Sequence, residues 1–156
     1  LWTSHRYSER VVDAMESALF ELAKGQKNTE KTLIGFSGGG VIAALLAARS
    51  ATPSRLITIA ANLNHEHWTE HFGHSPLNGS LNPVDFASEL RRVPQVHLLG
   101  AEDERVPLDT ISSYTKALGD TGRWEVRVVP GFDHRCCWWE AWPTLIRDLT
   151  AKLNSS

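Results

Sequence analysis

Three short segments of this 156-residue chain carry side chains that can do chemistry together: Gly35-Phe36-Ser37-Gly38-Gly39, Gly100-Ala101-Glu102-Asp103-Glu104-Arg105-Val106-Pro107 and Gly131-Phe132-Asp133-His134. A serine hydroxyl is a poor nucleophile until a neighbouring imidazole takes its proton. The imidazole needs a carboxylate to fix its tautomer and to stabilise its charged form. Ser37, His134 and Asp103 supply those three groups. Glu102 and Glu104 are alternative acids, and position ranks Asp103 first. Asp133 is adjacent to His134 and badly placed to orient its own neighbour. Taken singly, Asp103 reads as well as a solvated turn residue and His134 as a satisfied loop histidine. The order serine, acid, histidine, each just after a strand, argues for a shared role.

Gly35 to Gly39 match G-x-S-x-G, a weak pattern alone that gains weight from lying between a strand and a helix. So tight a turn calls for small residues two before and two after the serine. It aims the helix N-terminus at the hydroxyl and makes the Gly38 N–H a candidate oxyanion donor. The same glycines, through Gly38-Gly39-Gly40-Val41-Ile42-Ala43, also fit the dinucleotide pattern G-x-G-x-x-A. That reading requires an acid at the end of the next strand, and the chain has Ile59-Ala60-Ala61-Asn62 there. A third account is a glycine turn that only lets a helix lie close on a strand.

The elements that must hold these residues follow from hydrophobic periodicity. Val11, Val12, Met15, Ala18, Leu19 and Leu22 mark an amphipathic helix over about 7–24, stopped at Gly25. Thr32–Phe36 is a buried strand, and 41–48, apolar all round, is a buried helix. Strands at 55–60, 96–99 and 125–129 alternate with helices at 84–92, 107–118 and 137–153. Alternating apolar strands and helices predict the α/β class: a parallel sheet with helices on both faces. Residues 1–156 read as one domain, without internal repeats or a linker. Strand C-terminal ends share one edge of such a sheet, so Ser37, Asp103 and His134 are expected to converge there.

Taken together, the three segments resemble the second half of an α/β-hydrolase, and the likeness runs from the opening helix to the last. The form G-x-x-D-x-x-V-P around Asp103 is frequent near the acid of that family. The resemblance implies a serine hydrolase that cleaves an ester, thioester or amide of a small molecule through an acyl-serine intermediate, with no cofactor and no metal. Phe36, Trp68 and Val106 are the candidate substrate contacts. A non-catalytic module of the same fold, binding a ligand with the three residues unused, is the alternative.

Family members usually carry several more strands before the nucleophile, and a loop there supplies the second oxyanion donor, often near a His-Gly pair. No such pair precedes Ser37, and the chain opens on Leu1 rather than Met. The expectation is an N-terminally truncated fold, with the Thr32–Phe36 strand left as an exposed edge and an oxyanion hole half built.

The connection from Asn62 to Pro83 is long and holds four histidines. Within it, His67-x-x-Glu70-His71 matches the zinc pattern H-x-x-E-H, though in the wrong fold. A loop over the site, with Trp68 and Phe72 offering apolar surface, and simply solvated histidines are the competing readings. Trp138, Trp139 and Trp142, directly after His134, read as packing of the last helix ahead of a substrate box, and Trp138 could serve as both. A formal charge of −2, with 22% charged and 42% hydrophobic residues, gives no electrostatic reason to expect nucleic acid or an anionic membrane. No apolar run is long enough to cross a bilayer, so a soluble cytoplasmic or periplasmic protein is expected. Cys136 and Cys137 are neighbours, and no disulfide is expected between them.

Overall fold

A computed structural model describes residues 3–25, 30–51 and 54–153. Four strands, β1 (Lys31–Phe36), β2 (Ser54–Ile59), β3 (Gln95–Gly100) and β4 (Trp124–Val129), form one sheet in chain order, every pair parallel. Among the described residues the α-helices are α1 (Glu9–Leu22), α2 (Gly38–Arg49), α3 (His65–Phe72), α4 (Ala87–Leu90), α5 (Leu108–Leu118) and α6 (Trp138–Leu153).

Side chains alternate across the sheet, and the alternation sorts the core into two layers. Leu56 and Leu99 point to one face, against Ala43 and Ala47 of α2 and Ile111, Tyr114 and Leu118 of α5. Ile57, Ile59, Val96 and Leu98 point to the other, against Trp138 and Leu149 of α6. The sheet is thus covered on both faces. Both central strands are buried along nearly their whole length, as a doubly covered parallel sheet requires. Helix α1 adds a further layer: its Val12 meets Val41, Leu45 and Leu46 of α2. The Arg49 guanidinium, at the end of α2, holds the α1 carboxylates of Glu9 and Asp13.

Polar side chains also lie inside the α5-facing layer. His97 is 1% exposed, its Nδ1 is 2.8 Å from Thr58 Oγ1, and its ring meets Tyr114 edge-on. Burial pushes its pKa down from 6.5 to about 3, so the imidazole is neutral. Tyr114 in turn donates to Gln95 Oε1 at 2.7 Å.

Strand β1 pairs with β2 alone among the described residues, and its outer face leaves Ile34 and Phe36 each 43% exposed. Among the described residues it is the outermost strand on that side, the exposed edge that the sequence predicts. The structure differs from that reading at three places. The helix expected over 84–92 is a 3-10 turn, Pro83–Phe86, followed by the single turn of α4. Proline suits the first helical position, but the segment is too short to propagate. The long connection contains a full helix, α3. Asn64 caps it by accepting from the His67 N–H, and Gly73 ends it in the left-handed region at φ 62°. Finally, Cys136 and Cys137 are joined in a disulfide, against the expectation from their adjacency.

Candidate active site

Ser37 lies between β1 and α2 with φ 50° and ψ −122°. A non-glycine residue with positive φ costs about 1–3 kcal/mol and persists only where its surroundings hold it. Here the Ser37 N–H donates to Ile59 O at 2.8 Å, and the Gly40 N–H donates back to Ser37 O at 3.0 Å. The glycines around it divide unevenly. A Cβ on Gly35 would run into the Gly39 backbone, and one on Gly40 would run into Ala61 Cβ. A Cβ on Gly39 would meet open space. The glycine demanded after the serine is therefore three residues on, not two, because Gly40 is the one that faces the end of β2.

The acid and the histidine come from the loops after β3 and β4. These loops are fastened together: Glu102 N–H donates to Phe132 O at 2.9 Å, and Ala101 N–H to Val129 O at 3.0 Å. Gly100 permits the approach, since any side chain there would collide with the Phe132 carbonyl. Asp133, exposed, accepts from the N–H groups of Arg135 and Cys136 at 2.6 and 2.7 Å. Those bonds, that of Cys136 first, hold its carboxyl below the ordinary pKa. Its work is to shape the turn that presents His134.

The result is a continuous hydrogen-bonded chain. Ser37 Oγ is 3.1 Å from His134 Nε2, and His134 Nδ1 is 2.9 Å from Asp103 Oδ2. A carboxylate only accepts, so Nδ1 carries the ring proton and Nε2 accepts from the serine hydroxyl. Asp103 is 4% exposed, whereas Glu102 and Glu104 are exposed. Its second oxygen, Oδ1, accepts from the N–H groups of Arg105 and Val106, both at 2.9 Å. A buried carboxylate with three donors is held in one orientation.

The expected substrate contacts fare differently. Phe36 stands beside the site, its ring centroid 5.3 Å from that of His134. It lines an open cavity of about 570 Å³ with Ile34, Ile59, Trp138, Trp139 and Trp142. Val106 is 4% exposed and belongs to the core layer under α5, so its part at the site is the backbone N–H on Asp103 and not a side-chain contact with substrate. Trp68 is tied down: its Nε1–H donates to Arg105 O at 2.7 Å, and its ring lies against Phe72 and His74.

The histidines of α3 are not simply solvated. His65 is 3% exposed, and burial lowers its pKa. His71 Nδ1 and His67 Nε2 reach the Asp109 carboxylate at 3.0 and 3.6 Å. Among the described residues no group of three or more His, Cys, Asp or Glu side chains could hold a metal ion. Sequence reasoning missed Gly100 and Trp68 as supports of the acid loop. The first had a signal, a glycine ending a strand before the acid; the second had none.

No family model matches this sequence, and no curated protein matches it. Solved structures do match. A carboxylesterase of Nitrososphaera gargenis superposes with a TM-score of 0.64 at 16% identity, over 99% of this chain and 75% of that one. An α/β serine hydrolase homologue from Coxiella burnetii gives 0.63 at 21% identity, over 91% of this chain and 58% of that one. Dipeptidyl peptidase 4 of Porphyromonas gingivalis gives 0.69 at 17% identity, over 93% of this chain and 22% of that one. The chain has the α/β-hydrolase fold, and it spans from about a fifth to three quarters of the length of these structures. Among the described residues no helix is long and apolar enough to cross a membrane.

Proposed function

We propose that this chain is a serine hydrolase of the esterase type, acting on an ester, thioester or amide of a small molecule. The observation that carries the reading is the chain Ser37 Oγ–His134 Nε2, His134 Nδ1–Asp103 Oδ2, with its carboxylate buried. In the proposed reaction His134 Nε2 takes the Ser37 proton as Oγ attacks the carbonyl carbon. Asp103 stabilises the imidazolium that forms and remains ionised. His134 then returns the proton to the leaving group, an acyl-serine remains, and water attacks it by the same route. The Gly38 N–H, in the first turn of α2 where helix N–H groups lack intrahelical partners, is a donor to the developing oxyanion. Phe36 beside His134 and the tryptophan-lined cavity favour an apolar group on the substrate.

Reaction with a fluorophosphonate probe, with the modified residue mapped by mass spectrometry, tests the reading. Labelling of Ser37 that disappears in Ser37→Ala and His134→Ala is the expected result. A folded chain that stays unlabelled, both alone and in a longer form carrying additional N-terminal strands, would refute it.

A further inference from the structure

An oxyanion formed at Ser37 is held best by more than one donor, of which the Gly38 N–H is one. The surroundings of Gly38 contain another candidate. A Cβ on Gly38 would lie 3.0 Å from the hydroxyl oxygen of Tyr7 and 3.6 Å from its ring Cε1. That hydroxyl thus sits against the residue whose N–H is the oxyanion donor of the proposed reaction. Donors to one oxyanion each lie about 2.7–3.1 Å from it, which allows them to stand as much as about 5 Å apart. A hydroxyl 3.0 Å from the Gly38 Cβ position is placed to reach the same oxyanion.

Tyr7 is held in place from several sides. It lies immediately ahead of Ser8, the N-cap of α1, and its ring packs on the cluster formed by Val12, Val41, Leu45 and Leu46. Its backbone is clamped by the far end of the long connection: the Tyr7 N–H donates to Ser80 Oγ at 3.1 Å, and the Leu81 N–H donates to Tyr7 O at 2.9 Å. Ser80 Oγ donates onward to Ser4 O at 2.9 Å. A short polar loop with this bonding is a rigid mount, and a rigid mount is what electrostatic stabilisation of a transition state requires. Burial raises the phenol's pKa above its ordinary value, with the Arg6 charge opposing, so the hydroxyl keeps its proton and can donate.

We propose that the Tyr7 hydroxyl is the second oxyanion donor of this site, acting with the Gly38 N–H. The assignment rests on the serine hydrolase reading and completes it. As Ser37 Oγ bonds to the carbonyl carbon, the C=O π pair moves onto oxygen, and Tyr7 donates a hydrogen bond to that charge without giving up its proton. Gly38 gains a reason to be glycine: a methyl group there would crowd the hydroxyl.

The test uses the whole chain, p-nitrophenyl acetate hydrolysis and fluorophosphonate labelling of Ser37. Tyr7→Phe removes one oxygen and keeps the ring. Its kcat is expected to fall about a hundredfold or more with KM unchanged, the usual loss for one oxyanion donor, and labelling is expected to slow in parallel at unchanged melting temperature. Gly38→Ala supplies a second arm: its loss of activity should be large with Tyr7 present and much smaller in Tyr7→Phe, because both changes act on the same hydroxyl. A wild-type chain that reacts while Tyr7→Phe reacts equally fast, or additive losses in the double variant, would overturn the role of Tyr7 and leave the hydrolase reading standing. A wild-type chain with no reaction at Ser37, both alone and in the longer form carrying additional N-terminal strands, would overturn both.

Discussion

Replacement of Gly100 by alanine should disrupt the hydrogen-bonded chain without touching Ser37, His134 or Asp103. The added methyl would be driven into the Phe132 carbonyl, with Asp133 O only 3.1 Å away. Backbone cannot swing aside as a flexible side chain does, so the loops after β3 and β4 must part. Overpacking of this kind costs about 1–3 kcal/mol, and loss of the Glu102 N–H to Phe132 O bond costs about 1 kcal/mol more. Lower entropy of the unfolded chain returns about 0.4–1 kcal/mol. The net destabilisation is about 2 kcal/mol, equivalent to a fall of about 4–8 °C in Tm for a domain this size. Function should suffer more than stability, because displacing His134 from Asp103 by an ångström costs on the order of a hundredfold in rate. Thermal unfolding by circular dichroism and the rate of Ser37 labelling by fluorophosphonate measure the two effects. Gly39→Ala is the stability control: its Cβ meets open space within α2, and alanine there should stabilise by up to about 1 kcal/mol. If Gly100→Ala keeps both its Tm and its labelling rate, the loops do not meet as described and the account of how Asp103 finds His134 is wrong.

Asp103→Asn keeps the shape but cannot hold the ring proton on Nδ1, and its labelling rate should fall on the order of 10⁴-fold; Glu102→Gln and Glu104→Gln, both at exposed positions, should label as the wild type does. Trp68→Phe retains the ring and loses the bond to Arg105 O, so urea unfolding should show a loss of about 1 kcal/mol, and an unchanged midpoint would remove Trp68 as a tie on the acid loop. His97 titrates at about 3 when folded and at 6.5 when unfolded; the unfolded chain binds the extra proton, so this stability is whole above pH 6.5 and drains as pH falls toward 3. His97→Asn should therefore lose less stability than the wild type between pH 7.5 and pH 4.5, as read from urea midpoints at the two values, and equal losses would exclude His97 as a source of acid sensitivity.

The divide between what could be read in the chain and what needed the fold follows the range of the interactions. Period-two and period-3.6 patterns are local, so the four strands, their parallel order and the doubly covered sheet were legible, as was the meeting of Ser37, Asp103 and His134 at one sheet edge. The short-lived helix at 84–92 was misread because propensity does not report length once a proline turn intervenes. The full turn count of α3 was hidden because its cap, Asn64, and its stop, Gly73, bracket a polar stretch with no clear apolar stripe. Val106 was misplaced because apolar character does not tell a pocket wall from a core: its burial is decided by α5 closing over it. The glycine demanded after Ser37 shifted from Gly39 to Gly40 because the demand comes from Ala61, just past the end of β2. Tyr7 and Trp68 carry no signal in their own surroundings. Tyr7 meets Gly38 across 31 positions and Trp68 meets Arg105 across 37, and contacts of that range exist only once the sheet has set its strands side by side.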